Sequence, residues 1–470
     1  MQNSQGNYNN GNNNNRRRRK NPRNTQNMQT HRVRRTQSPD WDYSNYSDIN
    51  MSGFSNNMPP AQKSNVNRRR IKAVPKNSKK KKNVIILAAS KLLKRTNTIE
   101  LVRYGEGVDR IFLIVVIILL SFGTVMVFSA SYANALWRYG DTYHFAKKQL
   151  LMASIGIIAM IVTSYLADYR FIKKVAVLFF IGVLALNYVT PFFGKILNGT
   201  PRWFVLFGIQ FQPSELLKIA VVFMFAYYIN KMGDKMKTFL WGIVMPVTII
   251  LIIAGAMFFQ SHFSGLIIIA ALCLLMIFIG ESSVFWLGGF AAAGAAVLGY
   301  IIAFTPYASS RIQSWRDPFN EAFQNDESYQ IIQSLYAIGS GGLLGVGIGQ
   351  SKQKYLYLPE PQNDFIFSIV CEEVGFIGAL IIIFLFVILI WRGFVIAYHA
   401  PDKFASLVVM GITLKVAIQF ILNIAVVTNS VPNTGISLPF FSYGGTALII
   451  LLVEMGIILS VSRYSYQEKA

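Results

Sequence analysis

From Ile111 onward the chain is a succession of apolar runs of about 20 residues, the length an α-helix needs to cross the hydrocarbon core of a bilayer. Ten runs can be delimited: 111–131, 148–167, 172–190, 213–230, 237–258, 263–280, 282–304, 364–396, 403–428 and 438–462. The separations at 258–263 and 280–282 are the least distinct. A chain that is 53% hydrophobic, with a mean hydropathy of +0.39, is too apolar for a soluble globular protein. The fold class this pattern predicts is an all-α polytopic membrane protein of about ten transmembrane helices, with a large extracytoplasmic loop between helices 7 and 8.

The formal charge of +23 is unevenly distributed. Residues 1–110 hold 24 of the 45 Lys and Arg and 6 of the 22 Asp and Glu, hence +18, and the rest of the chain carries only +5. Residues 1–82 are rich in Asn, Gln, Ser and Arg, and such a composition has little to bury, so a disordered basic tail is expected. No apolar segment follows the basic residues closely enough for a signal peptide. Attraction to anionic lipid is the role expected of basic residues tethered to a membrane domain, in preference to nucleic-acid binding. Val84–Arg95 is too short to span, and 83–110 reads as a candidate interfacial helix and linker. The positive-inside rule places the tail, and after ten spans also the short 465–470 terminus, in the cytoplasm. The 191–212 and 305–363 loops then share the outer face. Cys273 and Cys371 lie in separate apolar runs without a CxxC or a neighbouring His, so neither a disulfide framework nor a zinc site is indicated.

Several stretches carry more polarity than a membrane scaffold needs. In Asn198–Lys218, Arg202 and Trp203 sit at the expected outer interface, where an Arg can receive a phosphate. Glu215 and Lys218 are three apart on one helix and can form a structural pair or present a cation to an anionic headgroup. His262, in Gln260–Gly265, reads as a hydrogen-bonded interfacial His or as a proton carrier. Arg311–Phe319 offers two arginines and an acid.

The stretch Tyr329–Phe376 is the centre of the chain. Ile331, Ile332, Leu335 and Ile338 follow helical spacing, which predicts an amphipathic helix lying flat on the membrane. The glycines of Gly339–Gly349 lack the strand and the GK[ST] of a nucleotide loop, so turns and close backbone packing account for them better. Lys352, Lys354, the Pro-bracketed Glu360 and Asp364 follow. Asp364 either caps the next helix or serves as a general base beside an anionic group held by Lys352 and Lys354. Glu372 and Glu373 point about 100° apart on that helix, so one is expected in the protein interior and the other on backbone groups or Lys415. Asn423, Thr428, Asn433 and the run Ser437–Thr446, with Ser442 among the candidate substrate contacts, form a small, hydroxyl-rich wall.

These motifs together resemble the SEDS family (shape, elongation, division and sporulation proteins, including FtsW, RodA and SpoVE). The matching residues are FSAS at 128–131, the RW of 202–203, QPSELLK at 212–218, residues 329–367, EEVGFIG at 372–378, NTGISLPFFSYGGT at 433–446 and VSRY at 461–464. The LPEPQ spelling and the VSRY ending look more like the FtsW/SpoVE branch. The resemblance covers about 110–464. It implies a peptidoglycan glycosyltransferase that polymerises lipid II on the outer face of the cytoplasmic membrane during division or spore-wall synthesis. Its implied partners are a class B penicillin-binding protein (a transpeptidase), lipid II, undecaprenyl-linked glycan and other divisome or cell-wall proteins, with no nucleic acid. The family's essential aspartate falls on Asp364, acting alone or with a divalent cation such as Mg or Mn, and no organic cofactor is implied. Arg202, Lys218, Lys352 and Lys354 become candidates for diphosphate or transition-state contacts, with Glu215, Glu360, Glu372, Glu373 and Ser442 lining the site. Two departures stand out: Ser261-His262-Phe263-Ser264-Gly265 where the family often has Pro-Asp-(Leu/Phe)-Gly-Thr, and Asn363 where it usually has Thr. A lipid II flippase and a non-catalytic scaffold recruiting a transpeptidase are the rival readings.

Overall fold

A computed structural model describes residues 101–103, 107–197, 200–206, 209–304, 312–320, 328–464 and 466–468. The basic tail, the Val84–Arg95 segment and Arg311 lie outside these residues. The helices are α1 (Arg110–Tyr139), α2 (His144–Leu166), α3 (Tyr169–Phe193), α4 (Pro213–Met232), α5 (Met245–Phe259), α6 (Phe263–Ile279), α7 (Val284–Phe304), α8 (Tyr329–Gly341), α9 (Ile366–Tyr398), α10 (Lys403–Val427) and α11 (Gly445–Arg463). Apart from α8, each stands at one of the ten predicted spans. Among the described residues eight helices are long and apolar enough to cross a membrane, and the apolar α6 and α7 occupy the sixth and seventh positions. The chain is therefore a multi-pass, all-α membrane protein.

The last span starts later than the apolar run does. Residues 437–444 are not helical, because Phe440 takes a positive φ of 67° and the Tyr443 amide donates to the carbonyl of Gln362 (2.8 Å). That bond draws the segment up against the polar loop.

Large apolar side chains such as Leu150, Leu178 and Phe384 point outward, as lipid-facing helices require. Inside, the bundle packs α2 against α11, α3 against α4, α9 against α10 and α1 against α9. Where α2 meets α11, a Cβ on Gly156 would strike Leu452 and one on Gly456 would strike Thr163, so small residues set this close approach.

Alternation of the helices gives two faces. One carries the end of α3, the starts of α4, α6, α9 and α11, and the sequence motifs. On the opposite face Asp109, Asp168 and Asp402 cap α1, α3 and α10 through their side chains. Asp109 also pairs with Arg392 of α9, and its amide donates to the hydroxyl of Ser462 in α11 (3.1 Å), which ties three helices together. On that face β1 (Leu101–Arg103) and β5 (Tyr466–Glu468) pair antiparallel, Leu101 opposite Glu468.

On the motif face β2 (Lys195–Leu197), β3 (Thr200–Leu206) and β4 (Ile209–Phe211) form a three-stranded sheet in that order, Lys195 opposite Trp203 and Phe204 opposite Phe211. The helix α8 does not present its apolar face to a lipid surface. Ile331, Ile332 and Ala337 are buried, and Ser334 bonds Ser368 of α9 (2.6 Å) and the Val427 carbonyl of α10 (2.8 Å). The amphipathic pattern thus marks a protein-facing stripe.

Candidate active site around Asp364

The loop that carries Asp364 is locked into the bundle by a break in α9. Gly375 adopts φ 70° and ψ −173°, which interrupts the helix and frees carbonyls before it and amides after it. The carbonyls of Glu372 and Glu373 accept from the amides of Val346 and Gly347 (both 3.0 Å), and the amides of Phe376 and Ile377 donate to the carbonyls of Gly342 (2.9 Å) and Leu343 (3.1 Å). A Cβ at Gly345 or Gly375 would collide with the other strand's backbone, so the glycines are there for close approach, as the sequence suggested. Irregular backbone at this level is tolerable only when buried in protein with its polar groups paired, and here they pair with each other.

The adjacent carboxylates finish the lock. Both are buried, and neither meets Lys415. Glu372 accepts from the Ser351 hydroxyl (2.5 Å) and the Lys352 amide (2.8 Å). Glu373 accepts from Ser129 of α1 (2.6 Å) and pairs with Lys354 (3.1 Å), whose ammonium also reaches Ser129 (3.2 Å). Lys415 instead pairs with Glu454 of α11 at 2.7 Å. Lys354, Glu372 and Glu373 were expected at the substrate; the structure makes them the anchor of the loop, because a buried charge must be paired where it lies. Lys352 remains exposed on the loop surface.

Beyond the anchor the chain turns through Glu360, at a positive φ of 47°. Its carboxylate is held on both oxygens, by Arg138 at the end of α1 (2.5 Å) and by Asn363 (2.7 Å). Asn363 thereby fixes the residue next to Asp364. Asn423 of α10 donates to the backbone carbonyls of Asp364 and Ile436 (both 2.7 Å) and clamps the two segments. Sequence reasoning placed Asn423 in a polar wall and missed Arg138 altogether; Arg138 ends an apolar run and carries no local signal of its distant partner.

Asp364 itself does not cap α9: the cap position belongs to Phe365, and no side chain bonds there. Among the described residues no hydrogen bond or ion pair reaches the Asp364 carboxylate. It is half-buried, with Gly435 packed so closely that a Cβ there would stand 3.2 Å from Oδ2. Burial first, and then the neighbouring Glu360 charge, push its pKa up to about 6. A carboxylate held so, without a partner, is suited to take a proton near neutral pH.

The remaining candidates are held as follows. Ser264 at the start of α6 bonds the carbonyl of Thr434, one residue before Gly435. Arg202 of β3 donates to the carbonyls of Gln260 (3.1 Å) and Ser261. Burial lowers its pKa from the usual guanidinium value. Glu215 and Lys218 form the expected pair at 2.7 Å, buried within α4. The Ser442 hydroxyl accepts from the Leu438 amide (2.7 Å) and closes the turn before α11, so it serves the loop's shape. Trp315 and Asn429 exchange side-chain-to-carbonyl bonds (3.0 and 3.1 Å), which docks the 312–320 segment beside the end of α10. Among the described residues no group of three or more His, Cys, Asp or Glu could hold a metal ion, and both cysteines are free and buried. Glu360, the neighbouring acid, is held on both oxygens by Arg138 and Asn363.

Comparison with known proteins agrees with this architecture. The cell cycle protein family that groups FtsW, RodA and SpoVE matches residues 109–467. Stage V sporulation protein E of Bacillus subtilis (strain 168) is 39% identical over 361 residues, 76% of this chain and 97% of that protein. A probable peptidoglycan glycosyltransferase FtsW of Geobacter sp. (strain M18) is 38% identical over 362 residues, 77% of this chain and 98% of that protein. Among solved structures, a chain of a peptidoglycan synthase complex that coordinates polymerization and crosslinking superposes with a TM-score of 0.65 at 23% identity, covering 77% of this chain and 99% of its own. The rod shape determining protein RodA of Thermus thermophilus gives 0.56 at 24% identity, over 77% and 98%. These two support the fold; the family match and the two relatives go further, and by them the chain belongs to the FtsW/RodA/SpoVE family of cell cycle proteins.

Proposed function

We propose that this protein is a peptidoglycan glycosyltransferase that polymerises lipid II, with Asp364 as its general base. The observation that carries the proposal is the unpartnered, half-buried Asp364 carboxylate, held by the clamped loop on the face where the motifs converge. Its chemistry balances simply. The acceptor's GlcNAc 4-hydroxyl gives its proton to Asp364 while its oxygen attacks the anomeric carbon of the growing chain. The bond from that carbon to the diphosphate breaks, undecaprenyl diphosphate departs, and an α linkage becomes β. Arg202, whose partners are backbone carbonyls and not acids, can with the exposed Lys352 meet the charge that develops on the leaving group. Lys218 and Glu215 act from behind as a neutral pair. Among the described residues no cluster of acids builds a cage for a divalent cation, and one would enter bound chiefly by the substrate's own diphosphate.

The relatives named as glycosyltransferases support this reading, as does the relationship to a chain of a synthase complex. In the same proposal the protein sits in the cytoplasmic membrane, with both termini in the cytoplasm and Asp364 outside. It works with a class B penicillin-binding protein and other cell-wall proteins, and its basic tail lies on anionic lipid. A test is glycan formation from purified lipid II by the wild type and Asp364→Asn, each alone and with the cognate transpeptidase. Polymer from the wild type only, at equal folding, is the expected result. Equal polymer from both removes Asp364 from the chemistry. Lipid II transport across vesicles without polymer from either protein, with partner and cation supplied, makes the flippase the better reading.

A further inference from the structure

The polar turn between α5 and α6 holds more unpartnered hydrogen-bonding capacity than a structural turn needs. Gln260 is fully buried, and while its amide donates to Asn187 of α3 (2.8 Å), its Oε1 has no partner. The Ser214 hydroxyl at the start of α4 is buried and unpartnered, as are His262 Nδ1 and the Thr434 hydroxyl. Leaving several such atoms unsatisfied is costly enough that a polar ligand or ordered water is expected there. His262 stands at the N-cap of the 17-residue α6; its carbonyl accepts from the Leu266 amide (3.2 Å) but its side chain caps nothing, so the amides of Phe263, Ser264 and Gly265 keep no intrahelical partner.

The charge at this place is positive. Arg202 of β3, fastened to the carbonyls just before His262, has no acid beside it, whereas Lys218 is neutralised by Glu215. These three, from β3 and α4, are the charged groups that act on His262; burial and the two cations push its pKa down to about 4, so the ring is neutral at physiological pH. A neutral imidazole leaves Arg202 uncompensated, where an aspartate would have cancelled it. Room for the ring comes from Gly265, since a Cβ there would stand 2.8 Å from it. His262 and Gly265 thus present a neutral imidazole with the space beside it left open. Ser264 and Thr434 lead directly from this turn to Gly435 and Asp364.

We infer that His262, the free amides of the first α6 turn and Arg202 form a diphosphate subsite, in which the imidazole donates a hydrogen bond to a phosphate oxygen of the lipid-linked donor or of the departing undecaprenyl diphosphate. The inference rests on the proposed glycosyltransferase reading for its ligand, and on the unpartnered, cation-flanked turn for its location. It makes His262 a residue that meets the leaving group, distinct from the base.

The test uses the full chain in lipid nanodiscs. Binding of undecaprenyl diphosphate and of undecaprenyl monophosphate is measured, with inorganic diphosphate as a competitor, for the wild type, His262→Ala, His262→Gln, His262→Asp and Gly265→Ala. One hydrogen bond to a charged group corresponds to about tenfold in affinity. His262→Ala and Gly265→Ala, which delete or displace the ring, should each weaken diphosphate binding by about that factor. His262→Gln, which keeps a donor, should restore most of it. His262→Asp should bind worst at neutral pH and recover as the pH falls and its carboxyl is protonated. Competition by inorganic diphosphate shows that the phosphates are the group recognised; its failure, with the lipid still bound, places recognition on the polyprenyl chain and overturns the subsite. Wild-type affinity in His262→Ala of unchanged thermal stability also overturns it. Failure of the glycosyltransferase reading shows separately, as a wild type that makes no glycan from lipid II.

Discussion

At Asp364 two demands pull in opposite directions. A base must be ionised to accept a proton, yet burial and Glu360 favour its protonated form and bring its pKa to about 6. Polymerisation should therefore rise with pH through about 6. Glu360→Gln removes the like charge and releases Arg138 toward the site, so it should move the acidic limb of the pH–rate profile lower. A limb that stays in place in Glu360→Gln assigns the limiting ionisation to another group. The same shift has a consequence for folding. Because the folded pKa lies above the ordinary value of 3.8, protonated Asp364 favours the native state fully below that value, and the contribution is lost as pH rises through about 6. Asp364→Asn should thus raise the melting temperature at pH 7.5 and leave it little changed at pH 4. A variant that loses activity while gaining stability is the signature of a strained functional group, and a fall in stability at pH 7.5 would instead mark Asp364 as structural.

At the scale of the element, the loop before α9 is held by backbone exchange around Gly375 and by the Lys354–Glu373–Ser129 cluster. Removing one partner of a buried pair leaves an uncompensated charge, which costs about 3–5 kcal/mol. Lys354→Met should accordingly lower thermal stability strongly, and Lys354→Met with Glu373→Gln should recover much of the loss; denaturation of each in detergent checks this. Gly345→Ala, strained at its φ of 79° and in collision with the Glu373 carbonyl, should abolish polymer formation even though Asp364 is untouched. Much of this element is legible in the sequence. The glycine run, the twin glutamates and the Pro-bracketed turn announce a constrained loop at the membrane surface, and Asp364 is visible as the acid at the lip of a span. What cannot be read is which charge meets which: Arg138 with Glu360, and Asn423 with the Asp364 carbonyl, are separated by 222 and 59 residues and meet only through packing. The flat membrane helix expected over Tyr329–Ile338 fails for a related reason, since an apolar stripe fits a protein groove as well as a lipid surface.

For the whole molecule, ten apolar runs are enough to place ten helices, because the bilayer's thickness dictates their length. Hydropathy does not show how the few charges left inside those helices are reconciled. Lys415 lies twelve residues from each end of α10, and Glu454 nine from each end of α11, so their 2.7 Å pair sits at the middle of both helices. The Glu215–Lys218 pair of α4 lies close enough to interact with it, and the four charges sum to zero across three helices. In hydrocarbon such an arrangement can be kept for function or merely tolerated as a fixed joint, and the two make different predictions. As a joint, Lys415→Met alone should destabilise by about 3–5 kcal/mol because Glu454 is then buried unpaired, while Lys415→Met with Glu454→Leu should return to within about 1 kcal/mol of the wild type and keep polymerase activity. The measurement is a double-variant cycle of thermal unfolding, with lipid II polymerisation followed on the same samples. Restored stability with activity still lost would mean that the mid-membrane charges act on the reaction, through Lys218 and Glu215, rather than only holding α10 against α11.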